Sequence, residues 1–407
     1  MKKRIILITN AFPFGKGEAS FILPELEALK DNYDFTIISR NSKEEQTSEL
    51  TFPVDIYRYN SSISSKQLLK SLPKLFSFEV LKEVFKYIAS PKKVVNTIKF
   101  VLRAHHFSKF AQSIREKYDQ DVVYYTYWND YATYGLVRFN KNKSDKIISR
   151  IHGGDLYLRP TNNYCLPLKK YIADNIDKLI FISQNGKDYY VNTFKPCDSS
   201  KLVVSRMGTD DTDVLSGASN DGVLRVLSLS NITFGKRVDR IAEVLSEVNG
   251  INIEWTHIGD GEEESLAVGS AHKYLDNKEN VKYNFLGRLP NSEVREYLKK
   301  NCVDVLLNVS YSEGLPVSMM EAASFGIPVI ATNVGAVGEI VSSENGFLIN
   351  RDFENSELVS VLANFSKLSE DEIKSLRQNS RIIWEDSYNS YVNYQKFKKE
   401  IDKLWES

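Results

Sequence analysis

The order of elements along the chain predicts an α/β protein of two doubly wound, Rossmann-like domains. Three observations carry that reading. Residues 4–30 run from an apolar strand, RIILIT, through a glycine-containing turn into a helix, the opening unit of an open parallel sheet. The same order starts afresh at residue 224, directly after a polar stretch, DDTDVLSGASNDG, at 210–222. Between 303 and 339 a strand, a polar turn, a small-residue helix and a second strand follow one another without a break. Ligands of such sheets collect beyond the strand C-termini, so the residues after each strand are the functional candidates.

Composition sets the outer bounds. The 407 residues accommodate two or three domains of roughly 100–200 residues each. Lys plus Arg and Asp plus Glu are both 53, so only a local cluster of charge could attract an anionic partner. Cys165, Cys197 and Cys302 have no metal-ligand spacing and cannot pair evenly, which fits a reducing cytosol. Behind Met1-Lys2-Lys3-Arg4 the apolar run at 5–8 is too short for an export signal. No apolar run reaches the roughly 18 residues of a membrane span. A cytoplasmic chain without a span is expected.

The first domain is expected at 1–212. After the strand at 4–9, the turn carries Gly15-Lys16-Gly17 but lacks the third glycine of a dinucleotide fingerprint. A helix at 19–30 and a strand at 35–39 follow. Residues 60–118 then break the alternation. They are helical in pattern and hold twelve Lys/Arg, Lys66, Lys70, Lys74, Lys82 and Lys86 among them, against Glu79, Glu83 and Glu116. Leu68, Leu72, Phe76, Leu81 and Phe85 recur at helical spacing. Two readings fit: a basic amphipathic face for anionic lipid, and a helical insertion packed on the sheet. No stacking module or reader fold accompanies the charge, so nucleic acid is not an expected partner. Strands resume at 122–125, 146–150 and 178–182. His152 and Asp155 follow the second of these, where cleft residues belong. His152 can donate to a sugar hydroxyl or phosphate oxygen in either protonation state.

The second domain is expected at 213–384, with 210–222 as a linker. Its strand at 224–229 leads through Asn231, Lys236 and Arg237 into a helix at 238–248. A strand at 252–258 ends in Gly259-Asp260-Gly261, and one at 281–286 ends in Gly287-Arg288-Leu289-Pro290. A helix at 291–301 leads to the strand at 303–309 and the turn Tyr311-Ser312-Glu313-Gly314. The next helix opens with Leu315-Pro316, where a missing N–H is harmless. Its N-terminus offers orphan N–H groups and the positive end of the helix dipole, a seat for phosphate. Glu321 lies eight positions after Glu313, and Ala322, Ala323 and Gly326 keep one helix face small. After a strand at 328–332 come a glycine turn at 335–339, a turn at Asn345-Gly346-Phe347, and helices that end in a Lys-rich amphipathic segment at 385–407.

The run SEGLPVSMMEAASFGIPVIATNVGAVGE at 312–339 resembles the donor-site signature of the retaining family 4 glycosyltransferases, an E-x7-E pair at an EG-(L/F)-P/G helix start followed by G-x-P-V-(I/V)-A. The resemblance covers most of 4–390 and is sharpest over 224–350, with 60–118 outside it. It implies the GT-B architecture, two Rossmann-like domains facing across a cleft, with 385–407 crossing back onto the first. A nucleotide-sugar donor would sit mainly on the second domain. There Glu313 would hold the sugar hydroxyls and Glu321 the ribose diol, since a carboxylate accepts two hydrogen bonds from adjacent hydroxyls. Lys236 matches the lysine that neutralises the diphosphate beside Gly314, Leu315 and Pro316. Asn231 stands where arginine is usual, and Arg237, where glycine is usual, is the candidate second charge. Arg288 and Leu289 would face the nucleobase, and His152 the donor sugar. Gly15, Lys16, Gly17 and Asp155 would line the cleft toward the acceptor. Met207 replaces the asparagine of the family's N-G-V-D turn.

The expected function is a retaining, metal-independent transfer from a nucleotide sugar to a glycan or a polyprenyl- or lipid-linked acceptor. Glu313, Lys236 and His152 are its catalytic candidates, and cell-surface polysaccharide such as lipopolysaccharide or capsule its product, made at the inner face of the membrane. No cofactor or metal is expected, because no D-x-D pair occurs in a suitable turn and Asp211-x-Asp213 falls in the linker. Two other readings stay open: a catalytically impaired membrane scaffold, suggested by Asn231 and Met207, and a nucleotide-sugar epimerase.

Overall fold

The computed structural model describes residues 2–15, 18–40, 44–60, 71–158 and 164–406. It divides into two units, Met1–Arg206 with Tyr394–Ser407, and Met207–Asn393. Each is a doubly wound α/β domain.

Unit 1 holds seven parallel strands, β1 (Lys3–Thr9), β2 (Tyr33–Ser39), β3 (Asp55–Arg58), β4 (Val122–Thr126), β5 (Lys146–Ile151), β6 (Lys178–Phe181) and β7 (Leu202–Val204). Their order in the sheet is β3-β2-β1-β4-β5-β6-β7. Side chains alternate across a strand, and β1 shows it. Ile6 and Ile8 join one core with Val101, Ala104 and Phe107, while Ile5 and Leu7 join another with Ile22, Phe397 and Ile401. Both faces are covered, which is why β1 reads as a continuous apolar run.

That layering includes part of 60–118, in keeping with the reading of a helical segment packed on the sheet. The helix Pro91–Arg115 buries Thr97, Val101, Ala104, Phe107, Ala111 and Ile114. It is part of the crossover that carries the chain from β3, at the sheet edge, to β4 beside β1. Gly135, on the helix Tyr131–Phe139, lets that helix approach closely, because a Cβ there would lie 2.4 Å from the Ala104 carbonyl oxygen. The 3-10 turn Leu72–Leu75 and the helix Phe78–Lys86 lie more superficially. Lys66 and Lys70 fall outside the described residues.

A buried ion pair ties the unit's elements together. Arg150, fully buried on β5, donates to Glu25 Oε2 at 2.8 Å, the Tyr125 hydroxyl at 2.6 Å and the Ser205 carbonyl at 3.0 Å. Its guanidinium also lies 4.6 Å from the Phe397 ring centre, on the helix Ser390–Glu406. Burial pushes the Glu25 carboxyl up, and Arg150 opposes that.

Unit 2 holds six parallel strands, β8 (Val223–Leu229), β9 (Asn252–Ile258), β10 (Val281–Phe285), β11 (Val305–Asn308), β12 (Val329–Thr332) and β13 (Gly346–Ile349), ordered β10-β9-β8-β11-β12-β13. The turn expected at 345–347 is the start of β13, which pairs with β12 in register Val329↔Gly346. The expected linker at 210–222 is likewise part of unit 2. Thr212 Oγ1 donates to the Ser324 carbonyl and Ser216 Oγ to the Asn301 carbonyl, both at 3.1 Å. Ser219 N donates to Asp304 at 2.8 Å. These small polar residues satisfy buried backbone groups.

The division falls at 206/207, where 212/213 was expected. At the far end, the helix Glu370–Ser387 stops and Ser390–Glu406 begins around a bridge between Thr209 and Asn389. A Cβ on Gly208 would lie 2.3 Å from the Tyr388 carbonyl oxygen, so that crossing needs glycine.

Replacing Arg150 by methionine strands the Glu25 carboxylate, and chemical denaturation should show a loss of about 3–5 kcal/mol. The double variant Arg150→Met/Glu25→Leu should recover part of it. Equal losses in both would mean the pair itself is not what holds these elements.

Candidate functional site

Unit 2 gathers its polar groups on the loop that follows β11. Lys236 Nζ donates to Glu313 Oε1 at 2.6 Å, and Asn308 Nδ2 donates to the same oxygen at 3.2 Å. Glu313 is buried and Lys236 partly so. The loop's backbone is fixed from both sides. Tyr311 N donates to the Gly235 carbonyl at 2.8 Å and Ala336 N to the Gly314 carbonyl at 3.1 Å, while Thr332 Oγ1 donates to the Ser310 carbonyl at 2.6 Å. Gly335, at φ +54°, allows β12's turn to touch the loop, since a Cβ there would meet the Glu313 carbonyl oxygen.

The helix Val317–Ser324 starts next to this carboxylate, after buried Leu315 and Pro316, without a side-chain cap. Its first N–H groups therefore face an anion-favouring position. Glu321 lies further along the same helix, buried, and its electrostatic neighbours are Arg295 and Asp210. Burial pushes its carboxyl up to about 7, opposed by Arg295.

Arg237 does not supply the second free charge that its position suggested. Its Nε donates to the Val309 carbonyl at 2.7 Å and its NH2 to the Arg351 carbonyl at 2.8 Å. The guanidinium holds the β11 loop against the segment after β13, and burial, with Arg240 nearby, lowers its pKa. Asn231 is exposed, with its carbonyl accepting from Thr233 N at 3.1 Å. Arg288 is exposed on the turn after β10, 3.8 Å from Asp260, and Leu289 beside it is half-buried.

In unit 1, His152 and Asp155 do follow β5. Asp155 accepts from the backbone N–H groups of Asn129 and His152, both at 2.6 Å. Lys169, also buried, donates to the Asn129 side chain at 2.7 Å. Burial pushes Asp155 up and Lys169 down, and their mutual attraction opposes both shifts. Both line a cavity of about 360 Å³ with Asn10, Trp128, Asn129 and Tyr164.

His152 is stacked on Tyr127 with ring centres 5.1 Å apart, and Trp128 lies 4.7 Å away. Burial, then Arg150, lowers its pKa to about 3, and its ring is bonded to the Tyr127 backbone. Nε2 is buried without a partner, so Nδ1 makes that bond, as donor to the carbonyl. The expectation of a donor toward ligand is thereby corrected: the neutral ring presents Nε2 as an acceptor.

Gly15, at φ +75°, is packed against Glu44, and Thr47 Oγ1 donates to its carbonyl. These contacts tie the turn after β1 to the connection between β2 and β3. Lys16 and Gly17 lie outside the described residues.

Residues 211–382 match the family model described as glycosyl transferases group 1. The match lies wholly within unit 2. WcaL of Escherichia coli K12, named for colanic acid biosynthesis, is 26% identical over 260 residues, 61% of this chain and 62% of that one. AmsD of Erwinia amylovora, an amylovoran biosynthesis glycosyltransferase, is 24% identical over 54% of this chain and 60% of its own. The matches thus span about three-fifths of those relatives' length. A Rickettsia africae glycosyltransferase superposes with TM-score 0.70 at 17% identity, covering 99% of both chains. Anabaena HepE in complex with UDP and glucose gives 0.66 at 16%, covering 98% and 100%. The fold is GT-B.

The sequence reading missed Asn308, Thr332 and Lys169 as residues that shape these sites, and Glu18. The Glu18 carboxylate accepts from the backbone N–H groups of Ala11 and Phe12 at 2.6 and 2.8 Å and from the Trp128 indole. Only the Glu after the Gly-x-Gly turn hinted at it, because a carboxylate there can gather the turn's N–H groups.

Glu321 yields a linkage prediction. Its folded pKa stands above the unfolded one, so its contribution is present below about 4.5 and is lost as pH rises through about 7. A shift of that size corresponds to about 3 kcal/mol. Glu321→Gln should match the parent near the lower limit and become increasingly the more stable protein as pH rises from about 4.5 to about 7, read as a growing Tm difference. A difference that stays constant with pH would refute it.

Proposed function

We propose that the chain transfers a sugar, with retention and without metal, from a nucleotide-sugar donor held by unit 2. The observation that carries this is the convergence of Lys236, Glu313 and an uncapped helix start on one loop. The departing diphosphate gathers negative charge as the sugar–phosphate bond breaks, and a cation with fixed N–H donors lowers that barrier. Lys236 turns from Glu313 to the diphosphate, and the freed carboxylate accepts from the sugar hydroxyls. Glu321 binds the ribose diol, and Arg288 and Leu289 adjoin the base. For retention, the acceptor hydroxyl approaches the face the diphosphate leaves, and a phosphate oxygen takes its proton.

His152 Nε2 accepts from a sugar hydroxyl, and the cavity at Asp155 and Lys169 receives acceptor hydroxyls. The relatives named for colanic acid, amylovoran and O-antigen biosynthesis support a cell-surface glycan, or its lipid-linked precursor, as acceptor. The work is placed at the inner face of the membrane.

Calorimetric titration separates the two glutamates. Glu321→Ala should weaken free nucleotide diphosphate and sugar nucleotide alike, by about 1.5–3 kcal/mol for a charged hydrogen bond. Glu313→Ala should weaken only the sugar nucleotide, because Lys236 is then free for the diphosphate. Lys236→Ala should lose turnover that Lys236→Arg partly keeps and magnesium does not restore. Equal weakening of free UDP or GDP by both glutamate variants, or loss of parent activity to a chelator, would overturn the assignment.

A further inference from the structure

The helix Phe78–Lys86 has two apolar stripes where a surface helix needs one. Val80 and Val84 turn inward to the unit 1 core. Phe78, Leu81 and Phe85 turn outward, 81%, 42% and 68% exposed, and Ile88 continues the row at 67%. The positions 78, 81, 85 and 88 fall on one side of a 3.6-residue helix. Phe76, 78% exposed, stands just before it. Scattered single apolar residues on a surface are ordinary, but a contiguous row with three phenylalanines marks an interaction surface.

The charge around the row is of one sign. Lys74, Lys82, Lys92 and Lys99 are exposed. Of the two acids in 71–99, Glu79 is held by Arg138 at 2.8 Å and Glu83 is 3.4 Å from Lys86. A self-complementary contact between two copies would set these lysines against each other, at an electrostatic cost. An anionic bilayer surface satisfies both features at once, taking aromatic rings at the headgroup level and lysines at the phosphates.

We propose that this face is a membrane-docking surface. Phe76, Phe78, Phe85 and Ile88 enter the boundary between headgroups and acyl chains, and Lys74, Lys82, Lys86 and Lys92 engage anionic headgroups. The inference stands apart from the proposed sugar transfer, since it concerns binding alone. It differs from a purely electrostatic attachment in one measurable respect. Raising salt shortens the Debye length from about 10 Å at 0.1 M to about 3 Å at 1 M, which removes the lysine part and leaves the aromatic part.

The test is flotation of the full chain with phosphatidylcholine vesicles, with and without phosphatidylglycerol. The parent should float with the anionic vesicles and keep a measurable fraction bound at high salt. The variant F76S/F78S/F85S should partition about tenfold less or lower still with an unchanged melting temperature, because these rings contribute little to the core. K74Q/K82Q/K86Q/K92Q should bind less at low salt only. A single Phe85→Trp substitution provides a second reading, a blue shift in emission on adding anionic vesicles. No flotation of the parent at low salt, or flotation of the serine variant equal to the parent's, overturns the proposal. So does a parent dimer in sedimentation that the serine variant abolishes, which would assign the face to a second copy.

Discussion

The contact on which the proposed chemistry of unit 2 depends is Lys236 Nζ on Glu313 Oε1, at 2.6 Å. It joins the turn after β8 to the loop after β11, two strands that neighbour each other in the sheet. Parallel pairing puts their C-terminal ends side by side, so the pair follows from topology. Asn308 and Gly335 keep the carboxylate and its backbone in place. Without a residue as small as glycine at 335, the turn after β12 could not close on the Glu313 carbonyl.

Such a pair is suited to exchange. Partly exposed ion pairs contribute roughly 0.2–1 kcal/mol, whereas a hydrogen bond to a charged group contributes about 1.5–3 kcal/mol. A diphosphate arriving at the helix start offers Lys236 a more charged acceptor, and the proposed sugar offers Glu313 hydroxyl donors. Both partners are then compensated. The pair therefore keeps two charges satisfied and oriented without holding them so tightly that a ligand could not separate them.

Much of the fold was legible because parallel strands covered on both faces read as nearly continuous apolar runs, as β1, β11 and β12 do. What failed did so for physical reasons. The segment 210–222 has linker composition, but its Ser and Thr hydroxyls reach buried carbonyls of Ser324 and Asn301, and composition cannot show where a hydroxyl points. The helix Pro91–Arg115 hid among lysines. Its buried stripe, Val101, Ala104, Phe107, Ala111 and Ile114, has helical spacing, yet spacing does not distinguish a core crossover from a surface insertion. Glu313, Lys236 and Glu321 were picked out from local pattern, and the structure brings Lys236 and Glu313 together. Asn308 and Thr332 were not, since their partners come from packing, and Lys169 meets Asp155 only through the course of unit 1's chain. His152 was found by its place after β5. Its burial and its bond to Tyr127's backbone are not visible in sequence.

The two departures from the family pattern bear differently on catalysis. Met207 is a buried residue whose carbonyl accepts from Asn393 Nδ2 at 3.0 Å, at the point where the chain passes between units, so its identity is a matter of packing. Asn231 matters more, because Arg237, the candidate to replace the missing charge, is committed to three backbone carbonyls, those of Val309, Ser310 and Arg351. The proposed leaving group is thus met by one lysine and by the N–H groups at the start of Val317–Ser324. Neutral donors fixed in place cost no reorganisation when charge develops, so their orientation carries part of what a second cation would supply. Arg237 then acts as a positioning residue: by holding the carbonyls of the β11 loop, it fixes where Glu313 and the helix start stand relative to Lys236.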